Sequence, residues 1–564
     1  MFPTTAKEMQ SLGWKQADII LFSGDAFVDH PAFGTAVLAR ILQFYGYKVA
    51  VIPQPNWRDD LRDFSKMGKP RLFFGVSAGN MDSMVNHYTA NKRLRSDDAY
   101  TAGGKAGFRP DYPTIVYSNI IKKMFPEIPV VIGGIEASMR RFTHYDYWKD
   151  KLLPGILIDS QADILIYGMA EYPIVKLANE LSKGWEIDQI SDIPQTQILA
   201  EYPAHFDDYL QLNSHKECLS DKKAFASNFV AIEQNANSLE AKPVIQQVND
   251  WWLITNPPEK ILSTKKLDRV YDLPYTRLPH PRYQKKGDIP AYQMIRHSVN
   301  IHRGCFGGCS FCTIATHQGK WIQSRSNKSI SKEVNKITQM PDFKGHITDL
   351  GGPSANMYGM QPIDMNICRK CNRPSCIYPS VCRNLNTDHT PLIELYQRMR
   401  KNQKIKNITI GSGIRYDLIF KSKDKYKRQA DVYFRELIKH HVSGRLKVAP
   451  EHTEQNVLKK MRKPDFSLFE EMHRRFEQIN NELNLNQQLI PYFISSHPAC
   501  SMYDMQQLIR RTKKLKLITD QMQDFTPTPM TLATVMYYTE LDPYTGEKVH
   551  IAKGIEKIKQ RKKL

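Results

Sequence analysis

Three cysteines, Cys305, Cys309 and Cys312, form a C-x3-C-x2-C array in the stretch SVNIHRGCFGGCSFCTIATHQ (298–318), directly after a strand-like run. Cysteine thiolates are the usual protein ligands of iron–sulfur clusters, and a cubane cluster has four irons to cap. Three ligands leave one iron open. An open position separates a reactive metal centre from a closed structural one, because a substrate or cofactor can bind there. Gly307 and Gly308 let the loop fold closely around a bulky group. Arg303 and Phe311 flank the thiolates, where they would tune charge and solvent access. The same residues admit two other accounts: a zinc site with His302 or His317 as fourth ligand, or three unligated thiols.

Four more cysteines, Cys368, Cys371, Cys376 and Cys382, follow in a C-x2-C-x4-C-x5-C array. Four thiolates close a structural zinc site or fully ligate an iron–sulfur cluster, and spacing alone does not separate the two. Four free thiols are the alternative, but the loop is polar and broken by proline, with little core of its own to pack in. Seven of the nine cysteines lie between Cys305 and Cys382. That concentration argues for metal ligation in a reducing compartment over a disulfide framework. Cys218 and Cys500 stand apart and read as buried thiols.

The elements that must position these groups come in two patterns. Through about residue 175 the chain alternates apolar strand-like runs (ADIILFSGD, KVAVIP, RLFFGVSAG, IPVVIGGIEA, ADILIYGMAE) with helical spacing, as in FGTAVLARILQFYGYKV. This predicts a doubly wound parallel sheet, whose ligand crevice lies at the carboxyl ends of the strands, with Gly133 and Gly134 lining it. Residues 80–109 form a long polar excursion, a length that is often functional. EASMRRFTHYDYWKD (136–150) clusters Arg140, Arg141 and His144 with aromatic residues past a strand end, facing either a substrate or the next domain. Residues 176–290 read as an irregular, partly helical connector. From Ser298 onward six strands can be counted, at SVNIHR, GHITDL, NITIG, RLKVA, QLIPYFIS and TDQMQDF, with helices between them. They predict a partial barrel, in which reactive groups sit at the carboxyl ends of strands. The domains expected are 1–175, 176–290, 291–526 and a short basic segment, 527–564.

The cysteine spacing, with aromatic Phe311 just before the third cysteine, resembles the radical SAM superfamily. IHRGCFGGCSFC together with LGGPSANMYGM, CRNLNTDH, LKVAPEHT, KKMRKPD and DFTPTPMTLATVMYYT resembles, more narrowly, the YgiQ-type radical SAM proteins over nearly the whole chain. The resemblance implies an α/β fold: a partial (βα)6 radical SAM barrel preceded by a doubly wound, cobalamin-binding-like α/β domain. It implies a 4Fe-4S cluster on Cys305, Cys309 and Cys312 whose open iron binds S-adenosylmethionine, cleaved after one-electron reduction to methionine and a 5'-deoxyadenosyl radical. A one-electron reductant protein and an unidentified substrate are the partners implied. Gly351 and Gly352 match the glycine motif that meets the methionine amino group, although Pro353 replaces the usual acidic residue. Glu451 matches the polar group for the ribose hydroxyls, and Arg415 could take the methionine carboxylate. Cobalamin is not expected, because its usual D-x-H-x-x-G pattern is broken here: Asp29 and His30 are adjacent, with Gly34 four residues on.

The composition is that of an ordinary globular chain of 564 residues, long enough for two or more domains. No long uncharged apolar run suggests a membrane span and the start lacks the pattern of a secretory signal, which predicts a cytoplasmic protein. A formal charge of +21 would attract nucleic acid, and modification of tRNA or rRNA is an alternative reading. A non-catalytic iron–sulfur or zinc protein is another. The basic runs at 420–429, 510–516 and the carboxyl end lack interleaved aromatics, and solvated helix faces explain them equally well.

Overall fold

The structure is a computed structural model and describes residues 1–203, 208–517 and 521–562. The amino-terminal half is built on five short apolar strands, β1 (Ile19–Ser23), β2 (Val49–Pro53), β3 (Phe73–Ser77), β4 (Val130–Gly133) and β5 (Ile164–Ile166). They pair in parallel in the order β2-β1-β3-β4-β5. Alternate residues of a strand point to opposite faces. Ile19, Leu21, Val49, Val51 and Val131 accordingly pack under the helices Gly34–Phe44 and Glu171–Ser182. Ile20, Phe22, Ala50, Phe74 and Ile132 meet Tyr117 and Ile121 of the helix Pro113–Met124 on the other face. Burial on both faces is why these strands read as continuous apolar runs.

Residues 176–290 differ from the irregular connector expected of them. They supply β6 (Thr196–Ala200), β7 (Leu210–Gln211), β8 (Val244–Val248) and β9 (Trp251–Thr255), which extend the same sheet in the order β5-β6-β9-β8-β7. β6 joins β5 antiparallel. The strands escape a sequence reading because TQILA and VIQQV put glutamine inside the sheet. Gln197 and Gln246 are buried, with Gln197 donating to Thr255 Oγ1 (2.7 Å) and Gln246 accepting from Thr143 N (2.9 Å).

The excursion at 80–109 is folded, not loose. Arg109 is fully buried and pairs with both Asp25 and Asp98 at 2.8 Å, pinning the loop to the carboxyl end of β1. Burial pushes the Asp25 carboxyl up to about 6, against the pull of the Arg109 guanidinium. Arg140 is tied to Asp82 of the same loop.

The second half is a partial barrel of parallel strands: β10 (Ser298–Asn300), β11 (His346–Ile347) and β12 (Asp349–Gly351), β13 (Asn407–Ile408), β14 (Arg445–Glu451), β15 (Gln488–Ser495) and β16 (Met522–Asp524). β10 pairs with β12, β11 with β13, and β14, β15 and β16 form one ladder. β11 and β12 are two pieces of one barrel strand, so the six positions are those expected. Helices Asn327–Ile337, Thr390–Arg400, Asp424–His441, Phe466–Glu482 and Met502–Lys514 cover the outside. Their apolar faces, with Val334, Leu395, Leu437, Met472 and Leu508, close on Val299, Leu350, Ile408, Val448 and Leu489 of the strands.

The carboxyl-terminal segment is a structural strap. Helix Leu532–Thr539 buries Leu532, Val535 and Met536 against Tyr145, Tyr147 and Leu152 of the first half and Phe225 and Phe229 of the helix Lys222–Ala236. The aromatic residues after β4 therefore face this strap and the barrel end. No helix among the described residues is long and apolar enough to cross a membrane.

Candidate metal and cofactor site

The first barrel strand runs out at Asn300, and His302–Arg303 then pairs antiparallel with Gln323–Ser324. This closes residues 304–322 into a loop at the carboxyl end of the strand. Cys305 N donates to Gly319 O (3.1 Å) and Gly304 N to Gln318 Oε1 (3.2 Å), drawing the two sides of the loop together. Arg303 anchors its base. Buried with Glu171, it makes an ion pair of 2.5 Å and donates from Nε to Tyr271 Oη (3.1 Å). The tip is held by the barrel and by the strap. Ser310 N donates to Met461 O (3.1 Å), Ala533 N donates to Ser310 O (2.9 Å), and Ser310 Oγ meets His497 Nε2 at 3.1 Å. Phe311 sets its ring edge-on to His497.

Held this way, Cys305, Cys309 and Cys312 are half-buried. Burial raises the Cys305 thiol, and pushes Cys312 up to about 12 with Cys309 and Cys305 adding to the effect. The three sulfurs thus lie within electrostatic reach of one another. Thiols held neutral this strongly become ligands when a metal supplies the opposing charge. Two donors already aim at them: Gly307 N at Cys305 Sγ (3.4 Å) and Arg415 Nη1 at Cys309 Sγ (3.3 Å). Among the described residues no group of three or more His, Cys, Asp or Glu side chains is already arranged to hold a metal ion. Of the histidines considered as zinc ligands, His317 shares a cavity of about 230 Å³ with Cys309 and Cys312, whereas His302 lines a different one.

The other expected residues gather at the same end of the barrel. Glu451 ends β14 at a bulge, with a left-handed φ of 70°, and is buried 3.8 Å from Lys463 Nζ. Burial raises its carboxyl, opposed by Lys463 and Arg415, and its charge reaches Cys312. Gly351 and Gly352 follow the second barrel strand. A Cβ on Gly352 would lie 2.5 Å from His302 Cε1, and one on Gly351 would strike Ser412 Oγ. Arg415 is not free for a methionine carboxylate, because its fork is taken by Asp417 (Nε 3.0 Å, Nη2 2.5 Å). Asp417, Lys463, Ser412 and His497 were not foreseen. Asp417 had a signal in the Arg-x-Asp spacing, while the other three meet the site only through long-range folding.

Two cavities flank the loop. The one of about 530 Å³ lies at the carboxyl ends of the parallel strands, lined by Gly133 and Gly134, and reaches Asn300, His302 and Arg303 of the barrel. The other is walled by Cys309, Cys312, Arg141, Tyr167 and Trp321, and both share Gly168, His317 and Gln318. His302 is 1% exposed and neither ring nitrogen has a hydrogen-bond partner among the described residues; burial drops it to about 3. His30 accepts from Ala32 N at 3.1 Å within its own turn, as a loop histidine would. In the basic run at 510–516, Arg511 pairs with Glu470 (3.2 Å) and covers the Phe466 ring.

Comparison with known proteins adds the family. Residues 1–298 match the family model described as Radical SAM N-terminal, and residues 520–564 match a domain of unknown function, DUF3362. A UPF0313 protein of Porphyromonas gingivalis is 58% identical, covering 99% of this chain and 89% of its own length. One of Bacteroides thetaiotaomicron is 57% identical over 99% of this chain and 93% of that protein. Among solved structures, a radical S-adenosylmethionine methyltransferase, TsrM, from Kitasatospora setae with cobalamin and a [4Fe-4S] cluster bound is 14% identical. It covers 92% of this chain and 77% of that one, with a TM-score of 0.49. The chain belongs to the UPF0313, YgiQ-type, family of radical SAM proteins, and is an enzyme of unspecified reaction.

Proposed function

We propose that Cys305, Cys309 and Cys312 hold a 4Fe-4S cluster with one iron open to S-adenosylmethionine. The observation that carries this reading is the set of three half-buried cysteines in a clamped loop at the carboxyl end of the first barrel strand, with Arg415 Nη1 3.3 Å from Cys309 Sγ. When bound, the pair would supply one-electron reductive cleavage of S-adenosylmethionine to methionine and a 5'-deoxyadenosyl radical, the chemistry of hydrogen-atom abstraction. The chain's own part is placement. Gly351 and Gly352 present backbone to the methionine amino group. Glu451, with its carboxylate steadied by Lys463, accepts hydrogen bonds from the ribose hydroxyls. Arg415, kept charged by Asp417, offsets thiolate charge.

The unidentified substrate enters through the cavity beside Cys309 and Cys312, which Tyr167, His317 and Trp321 also line. A one-electron reductant protein completes the system. The test is release of 5'-deoxyadenosine from S-adenosylmethionine by anaerobically reconstituted, reduced protein, with Cys309→Ala as control. Activity in the wild-type chain and none in the variant is the expected result. Equal activity in both would remove the assignment.

A further inference from the structure

The four cysteines after the second barrel strand have no part in the function proposed above. Their loop is folded back on itself. Cys371 N donates to Cys368 O (3.1 Å), Cys382 N donates to Cys376 O (2.7 Å), and Asn384 Nδ2 donates to both Cys368 Sγ (3.2 Å) and Asp364 O (2.7 Å). Asn384 lies two residues past Cys382, so it ties the last cysteine's end of the loop to the first cysteine.

A buried cation is held by the turn between Cys371 and Cys376. Lys320 is 2% exposed, donates from Nζ to Arg373 O (2.9 Å), lies 4.7 Å from the centre of the Trp321 ring, and has no carboxylate partner among the described residues. A buried ammonium without a counter-charge is costly. Thiolates of an occupied metal site would supply that charge. The loop also lies against the first cysteine loop: Cys376 N donates to Phe306 O (3.0 Å), next to Cys305, and Cys305, Cys376 and Cys382 pack on the same apolar group, with Met357 and Leu418.

We propose that Cys368, Cys371, Cys376 and Cys382 hold a second iron–sulfur cluster, fully ligated by cysteine. Their loop is hydrogen-bonded to the first cysteine loop through Cys376 N and Phe306 O, a placement that suits a redox-active centre. Full ligation leaves no iron for a substrate, so the chemistry left to it is electron transfer. It gains one electron from a reductant protein and gives one to the cluster on Cys305, Cys309 and Cys312, with no bond made or broken. Only this relay role rests on the function proposed above; the site does not.

The test is iron, sulfide and zinc analysis of the full-length triple variant Cys305→Ala, Cys309→Ala, Cys312→Ala after anaerobic reconstitution. The expected result is about two to four irons with matching sulfide and a paramagnetic signal on reduction, all lost when Cys376→Ala is added. Zinc alone, or no metal, overturns the proposal. If the triple variant does not fold, the wild-type chain is compared with Cys376→Ser, Cys382→Ser. Lower iron in that variant supports the second site and equal iron overturns it. A wild-type chain that keeps the second cluster yet releases no 5'-deoxyadenosine would sink the function above and leave this site standing.

Discussion

Arg415 touches Cys309 and Asp417 at once, with Nη1 3.3 Å from the cysteine sulfur and Nε 3.0 Å from the carboxylate. Burial works against its charge, and Asp417, Cys309 and Cys305 together outweigh burial. Asp417 is 2% exposed, so it depends on Arg415 in turn. Removing one member of such a buried pair leaves an uncompensated charge, which costs about 3–5 kcal/mol. Arg415→Met should lose about that much stability in urea unfolding. Adding Asp417→Asn should restore about 1–3 kcal/mol of it, the size of coupling seen for contacting residues. Strictly additive losses would show that the two side chains do not support each other.

Gly308 joins the two cysteine loops. Its φ is 63°, and a Cβ there would lie 2.5 Å from Pro374 O and 2.9 Å from Ser375 Cβ. Gly319, at the far side of the same loop, has a φ of 86° with nothing near the Cβ position. Both alanine substitutions carry the backbone strain, about 1–3 kcal/mol, but only Gly308→Ala pushes the loops apart. Gly308→Ala should therefore hold clearly less iron per chain than Gly319→Ala at similar loss in thermal midpoint. Equal iron in the two would mean that loop contact does not matter to metal retention.

What could be read from the sequence was what is local. The cysteine array needs only its own spacing, and the five parallel strands show as apolar runs because both faces of each are covered. Glu451 could be placed from the strand that precedes it, but not its reliance on Lys463, twelve residues on and past a helix. Arg415 read as a free guanidinium because the Asp417 fork is a matter of rotamer. Strands 196–200 and 244–248 were missed because Gln197 and Gln246 break the apolar pattern and find partners only in the folded sheet. The strap at 532–539 hid in a β-branched, aromatic run, LATVMYYT, whose burial on nearly all sides comes from three other parts of the chain.

The ion pair of Arg303 and Glu171 fastens the base of the cysteine loop to the helix Glu171–Ser182 of the first half. Both side chains are buried, at 4% and 2% exposed. Glu171→Ala should cost about 3–5 kcal/mol by stranding the guanidinium, read from the urea midpoint. Arg303→Met, Glu171→Met should recover much of that loss, because apolar groups of similar volume replace a buried pair with little penalty. A double variant no better than Glu171→Ala would show that the pair is needed for more than charge balance.

Lys557, on the last helix, carries a pH dependence that can be assigned a sign. The residue is 6% exposed, and its Nζ donates to Ala90 O (3.0 Å), Tyr147 Oη (3.0 Å) and Phe525 O (3.2 Å), linking the strap to both halves. Burial pulls its pKa down from the usual 10.5 to about 8, with Asp524 opposing and Lys92 assisting. Below about pH 8 the ammonium is charged both in the folded chain and in the unfolded one, and the linkage is flat. Between about 8 and 10.5 the unfolded chain still holds a proton that the folded chain has released. Stability therefore rises with pH across that window, by at most about 3 kcal/mol from the shift. Other groups titrate there too, so the quantity to follow is the difference from Lys557→Met. Wild-type and variant urea midpoints measured at pH 7.5 and pH 10 should change their separation in favour of the wild type at the higher pH. Midpoints that move in parallel would mean that the ammonium is not the buried group that docks the carboxyl-terminal helix.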